Sequence, residues 1–233
     1  MSALAVLVRK ELHATFTSPI AYAIGTVFLL VIGYTFSLTL FITKVANLTY
    51  IFHQMYVLLI VLVPVLTMRA FAEERRADTI ELLLTAPVAE VWLVAAKFLA
   101  GLALVMAMLA ASGVYAVVLG LYGQPDWAPV YGGYLALALL SCLLVAIGIL
   151  TSSATENQVV AAAAALGTGL MLWFADSVSY LLPPPLDVLA INLSLIGHFT
   201  TFVRGSLFLS DAGYFVTLSL LALFVATRIL TDR

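Results

Sequence analysis

The chain contains very few charged residues. Only 9% of its 233 residues are Asp, Glu, Lys or Arg, whereas soluble globular domains contain about 25%. The net charge of −2 is too small to indicate nucleic acid or an acidic partner. With 64% hydrophobic residues and a mean hydropathy of +1.15, this scarcity of charge predicts a membrane protein.

Residues that could carry chemistry are also sparse. The single cysteine, Cys142, excludes an intramolecular disulfide and is expected to pack as a small core residue. The three histidines, His13, His53 and His198, lie in different segments, which argues against a shared metal site. No lysine follows a glycine, as a phosphate-binding loop requires. We therefore predict no catalytic, metal-binding or cofactor-binding residue, and any ATP hydrolysis must come from another chain.

Six apolar stretches are long enough to be membrane-spanning helices, each of which needs about 20 residues. Ser18 and Pro19 favour the start of the first helix, and Pro64 predicts a kink near the end of the second. The predicted spans are residues 20–42, 52–68, 91–121, 131–150, 158–182 and 214–229. The expected fold is one all-α transmembrane domain covering residues 1–233.

Basic residues near the span ends predict the orientation. Eight lie on one side in this layout, and only Lys44 and Arg204 lie on the other. The eight are Arg9, Lys10, Arg69, Arg75, Arg76, Lys97, Arg228 and Arg233. The positive-inside rule places their side, and both termini, in the cytoplasm.

The span centres lack ionisable residues. Glu156, Asp176 and Asp211 are predicted near span ends, where water can reach them. Ion-coupled transporters usually keep carboxylates or histidines within their spans, so this class is disfavoured. A passive channel is disfavoured too, because the sequence shows no charged ring or selectivity filter.

Three further segments have distinctive patterns. Residues 3–16 place Leu4, Val8, Leu12 and Phe16 near one helical face, which is typical of a helix on the inner membrane surface; a simple extension of span one is the alternative. The small residues between 161 and 169 predict close helix packing, within the chain or across a dimer. The apolar loop at 183–210 is expected to dip into the outer leaflet as short helices, or to pack as an ordinary helix outside it.

The densest charge follows span two and precedes a predicted short cytoplasmic helix. Asp78 and Glu81 have capping-box spacing, Leu83 and Leu84 fall on an apolar face, and Pro87 ends the helix. Such a helix suits a groove on a soluble partner; a solvated helix folded onto the membrane surface is the alternative. The candidate docking residues are Glu73, Glu74, Arg75, Arg76, Asp78, Thr79, Glu81, Leu83, Leu84 and Pro87.

The segment from residue 73 to 88, EERRADTIELLLTAPV, resembles the signature of type-2 ABC export permeases. The resemblance is closest to the gliding-motility (GldF-like) and copper-enzyme-maturation (NosY-like) branch. Asp78 stands where glycine is common, while the other positions that match the usual pattern are Thr79, Glu81, Leu82, Leu83 and Pro87. The residues Arg-Lys-Glu-Leu at 9–12 and the segment from 193 to 215 extend the resemblance along nearly the whole chain.

This resemblance implies a bacterial inner-membrane half-transporter that pairs with itself or a homologue. It would bind two ATPase subunits, which carry ATP and Mg²⁺, and a periplasmic auxiliary subunit is plausible. The implied docking side includes Arg9, Lys10 and Glu11 of the surface helix, together with the short cytoplasmic helix. The implied outer gate contains His198, Phe199, Arg204, Gly205 and Asp211. The alternative function is a membrane scaffold or accessory subunit without a transport path.

Overall fold

The computed structural model describes residues 3–43, 47–76 and 89–231, and every regular element among them is an α-helix. This confirms the all-α prediction. The helices are α1 (Ala3–Thr17), α2 (Pro19–Thr43), α3 (Thr49–Thr67), α4 (Arg69–Arg76), α5 (Glu90–Tyr122), α6 (Trp127–Ala154), α7 (Gln158–Ser179), α8 (Leu186–Leu193), α9 (Leu195–Val203) and α10 (Leu209–Thr231).

Six segments of the described chain are long and apolar enough to cross a membrane, as predicted. They are α2, α3 with α4, α5, α6, α7 and α10. The second span continues through α4 to Arg76 instead of ending at residue 68, and α10 begins at Leu209 instead of residue 214. The prediction excluded Asp211 from the span as a water-exposed charge, but this residue is buried within the first turn of α10.

Helix α6 lies at the centre of the bundle. Of the residues in its most apolar stretch, 67% are buried, against at most 50% in any other span. It packs along α10 and α3, and it also contacts α5, α7 and α9. Asp126 begins α6 by accepting a hydrogen bond from the backbone N–H of Ala128, as expected for an N-cap aspartate.

Two glycines allow neighbouring helices to approach α6 closely. A Cβ atom on Gly132 would lie 2.1 Å from the carbonyl oxygen of Phe202 at the end of α9. A Cβ atom on Gly148 would lie 1.9 Å from the Thr67 hydroxyl oxygen in α3. Since neither distance is physically possible, glycine is required for both helix contacts as they stand.

Three of the small residues of α7 pack within the chain. Ala161, Ala165 and Gly169 are buried at four-residue intervals, and α7 lies against α3 and α6. Small side chains permit this close approach where no hydrophobic effect drives helices together. The opposite face of α7 remains exposed in the single chain, including Val159, which is 73% exposed, and Met171, which is 77% exposed.

The helix ends define two sides of the bundle. The basic side contains α1, α4, the start of α5 and the end of α10. The opposite side contains α8, α9 and the start of α10. Helices α8 and α9 are bent by 50° relative to each other, in agreement with the prediction of short helices in the apolar loop.

Candidate functional site

Helix α4 carries part of the predicted docking segment, and α6 holds its first turn in place. The Ser152 hydroxyl accepts hydrogen bonds from the backbone N–H groups of Phe71 and Ala72, at 2.9 and 3.0 Å. It donates to the carbonyl oxygen of Met68 at 3.0 Å. Helix N-termini leave N–H groups without partners inside the helix, so Ser152 caps α4 from a position 80 residues away in sequence.

Lys97 joins three helices on the basic side. Its ammonium nitrogen lies 2.8 Å from a Glu74 carboxylate oxygen in α4 and 3.3 Å from a Glu11 carboxylate oxygen in α1. It also lies 5.0 Å from the centre of the Phe71 ring. Only 5% of the Lys97 side chain is exposed, and a charge this buried needs charged partners. We call Glu11, Glu74 and Lys97 the basic-side triad.

A cavity of about 300 Å³ lies beside the basic-side triad. Its lining combines the ends of α1 and α3 with the start of α2, the first part of α4 and the first turns of α5. Arg69, Glu73 and Thr15 add polar groups to the wall, while Leu66 and Ile149 supply apolar surface. Beside this cavity, the Lys97 side chain joins α1 to α4 through its ion pairs with Glu11 and Glu74.

Three docking candidates are buried or partly buried in the structure. Glu11 of the predicted surface helix is buried because it faces Lys97. Arg75, a candidate docking residue, is 6% exposed because it lies one turn after Phe71 on the inward face of α4. Glu74 is half-buried and turned toward Lys97.

The remaining docking candidates in described helices are at the surface. Arg9 and Lys10 are exposed on α1, and Glu73 and Arg76 are exposed on α4. These four side chains therefore keep the accessibility that docking requires. The candidates Asp78, Thr79, Glu81, Leu83, Leu84 and Pro87 lie in residues 77–88, outside the described residues.

A second polar cluster lies on the opposite side. His198 Nδ1 is 2.8 Å from an Asp211 carboxylate oxygen, and His198 Nε2 is 3.2 Å from the carbonyl oxygen of Asn192. Each ring nitrogen of His198 thus has a polar partner in a neighbouring helix, Asp211 in α10 and Asn192 in α8. The Tyr214 hydroxyl donates to the carbonyl oxygen of Leu193 at 2.6 Å, and its ring stacks on His198 at 4.1 Å.

This cluster joins α8, α9 and α10, and it includes two of the predicted outer-gate residues. Contrary to the prediction, Asp211 is not water-exposed: it is 8% exposed because His198 and the start of α10 cover it. Phe199 is fully buried against the rings of Tyr56 and His53, at 4.8 and 5.6 Å.

The other two outer-gate candidates lie where α9 ends. Arg204 is exposed and its side chain makes no contact with His198 or Asp211 among the described interactions. Gly205 has a φ of +84°, in the left-handed region that glycine adopts readily. The structure thus brings His198 and Asp211 together, while Gly205 ends α9.

Comparison with known proteins shows which family the chain belongs to. Residues 37–229 match the family described as ABC-2 family transporter protein. The chain belongs to the ABC-2 transporter membrane family. No curated protein matches it. The chain is thus a multi-pass membrane protein and a permease subunit of an ABC transporter, and ABC-2 membrane subunits pair with a separate ABC ATPase subunit.

Sequence reasoning missed the two residues that organise the basic side of this ABC-2 chain. Lys97 was counted only for orientation, although a lysine seven residues after Glu90, within an apolar stretch, is a recognisable signal for a paired charge. Ser152 gave no such signal, because serines in apolar helices usually bond to their own backbone. Its neighbour Ser153 does so, donating to the carbonyl oxygen of Leu150 at 2.8 Å.

Proposed function

We propose that this chain couples ATP hydrolysis by a separate ATPase to substrate movement or mechanical work, as the exporter-type permease subunit of the transporter. The family match over residues 37–229 carries this proposal. In the proposed assembly, two ATPase subunits bind ATP and Mg²⁺ and dock on the basic side of a permease dimer. The basic side is then cytoplasmic, with both termini in the cytoplasm of a bacterium and the permease in its inner membrane.

The proposed docking element is the segment 73–87, with Leu83 and Leu84 as apolar anchors. The basic-side triad supports this role, because Glu74 lies three residues before the undescribed segment and is bonded to Lys97. Force applied to the docking element would reach α5 through Lys97 and α1 through Glu11. Movement of α5 and α1 against α6 would then transmit ATPase closure to the spans.

On the opposite side, we propose that α8 and α9 form the exit gate, closed by the contacts of His198 with Asp211 and Asn192. The sequence resemblance favours the gliding-motility branch of the family, so a periplasmic auxiliary subunit would approach this side. All 233 residues form a single permease domain in this proposal.

Affinity purification from native membranes in mild detergent, with quantitative mass spectrometry, tests the proposal. We expect an ATPase with a phosphate-binding loop at about one copy per permease chain. Leu83→Ala/Leu84→Ala should lose most of this ATPase while the chain still inserts, because apolar anchors dominate a helix-in-groove contact. The matched control is Leu181→Ala/Leu209→Ala, which changes two leucines exposed on the opposite side. Recovery of the chain with only non-ATPase partners would instead support a scaffold.

A further inference from the structure

A groove on the basic side lies between the first turns of α5 and the last turns of α10. Its volume is about 470 Å³, within the usual range for small-molecule sites, about 300–1,000 Å³. Most of its wall is apolar and includes Val91, Val94, Leu220, Leu223 and Phe224. Val91, Leu220 and Phe224 are each more than half exposed, so the groove opens sideways, toward the hydrocarbon of a surrounding membrane.

Two opposite charges lie at the wall of this groove. Glu90 begins α5, and Arg228 lies in the last turn of α10. The Arg228 guanidinium lies 5.2 Å from the Phe224 ring centre. Among the described residues, neither charge forms an ion pair with the other or with a third residue. Helix dipoles favour an acid at a helix start and a base at a helix end, but they do not explain why both charges line one apolar groove.

The charged and apolar residues that line the groove indicate which class of ligand it can bind. Helix ends of spans lie near the headgroup region, so a ligand here has apolar chains beside Val94 and Leu223 and a polar head beside Glu90 and Arg228. Arginine suits a phosphate group, and basic sites between spans on the cytoplasmic side bind lipid headgroups. Glu90 disfavours a purely anionic headgroup and favours one that also carries an N–H donor.

We propose that this groove binds one phospholipid with a phosphoethanolamine headgroup. Arg228 holds the phosphate and Glu90 accepts a hydrogen bond from the primary ammonium. One acyl chain lies along Val94, Leu220 and Leu223. The lipid thereby bridges the start of α5 and the end of α10, which meet at this end of the bundle.

Native mass spectrometry of the full chain in detergent tests the site, with phosphatidylethanolamine, phosphatidylglycerol or phosphatidylcholine of matched acyl chains added in turn. We expect phosphatidylethanolamine to be retained most strongly. Arg228→Gln should weaken its binding about tenfold, the usual effect of losing one charge-assisted hydrogen bond. The matched control Arg204→Gln, at an exposed arginine on the opposite side, should leave binding unchanged.

Two further variants distinguish binding of the headgroup from binding of the acyl chains. Glu90→Gln should remove the preference for phosphatidylethanolamine over phosphatidylglycerol, while Glu156→Gln, at an exposed glutamate, should preserve it. Thr227→Trp should fill the groove and lower retention with both charges intact. Equal retention of the three lipids, or equal binding by Arg228→Gln and Arg204→Gln, would overturn the proposal.

Discussion

The two sides of the bundle are joined by different kinds of contact. On the basic side, Lys97 pairs with Glu11 in α1 and with Glu74 in α4. These partners precede it by 86 and 23 positions in sequence. On the opposite side, several groups connect α8, α9 and α10, and all their partners lie between Asn192 and Tyr214.

The difference predicts unequal tolerance to substitution. Loss of Lys97 leaves two carboxylates close together without their shared cation. Loss of any one contact in the His198 cluster leaves the others in place. The ion-paired link between α1 and α4 therefore depends on the single side chain of Lys97, whereas α8, α9 and α10 are linked by several contacts and are redundant in this sense. If the basic side couples the ATPase to the spans, as proposed, loss of this link should uncouple them.

Lys97→Met should have the largest effect. Removing one member of a buried ionic group costs about 3–5 kcal/mol, and we expect the lower end because Glu74 is 22% exposed. The measurement is the thermal unfolding midpoint in detergent. The triple variant Glu11→Gln/Glu74→Gln/Lys97→Met should recover most of the stability that Lys97→Met loses, because no unpaired carboxylate remains in the triad. Two results would contradict a stabilising role for the triad: an unfolding midpoint of Lys97→Met equal to that of the parent, or a triple variant no more stable than Lys97→Met.

Gly132→Ala should have the next largest effect, on the opposite side. The added Cβ would lie 2.1 Å from the Phe202 carbonyl oxygen, so α9 must move away from α6. Overpacking of this kind costs about 1–3 kcal/mol, measurable in the same unfolding assay. Gly113→Ala is the matched control, since its Cβ would meet nothing within 4 Å. Equal stability of the two variants would show that α9 docks loosely.

Ser152→Ala should lower the free energy of unfolding by about 1–2 kcal/mol, the usual cost of a lost helix cap, because α4 loses its contact with α6 at Ser152. Hydrogen exchange of the Phe71 and Ala72 amides should accelerate, because both lose their acceptor. Ser153→Ala is the control, because the Ser153 hydroxyl bonds within α6. Unchanged exchange at residues 71 and 72 would contradict the capping role of Ser152.

Tyr214→Phe should have the smallest effect, about 1 kcal/mol, the typical net value of one hydrogen bond. The variant loses the bond to the Leu193 carbonyl oxygen but keeps the ring that stacks on His198. The unfolding midpoint should therefore fall much less than in Lys97→Met. A drop as large as that of Lys97→Met would show that the opposite side is not redundant.

The six spans could be predicted from sequence because membrane helices are recognised by length and apolarity alone. The long-range contacts could not. Lys97 meets Glu11 and Glu74 only after α1 and α4 fold against α5. Asp211 was wrongly placed in water because its partner, His198, lies on a different helix. Charges in membrane proteins are hard to place by sequence, since pairing decides whether they can be buried.

The most direct test of the account is photo-crosslinking in native membranes from position 84, in the proposed docking element. Position 181, a leucine that is 84% exposed on the opposite side, provides the comparison. The account predicts that a photoreactive residue at 84 crosslinks to an ATPase with a phosphate-binding loop, while one at 181 does not. An ATPase crosslinked from 181, or none crosslinked from 84, would contradict docking on the basic side.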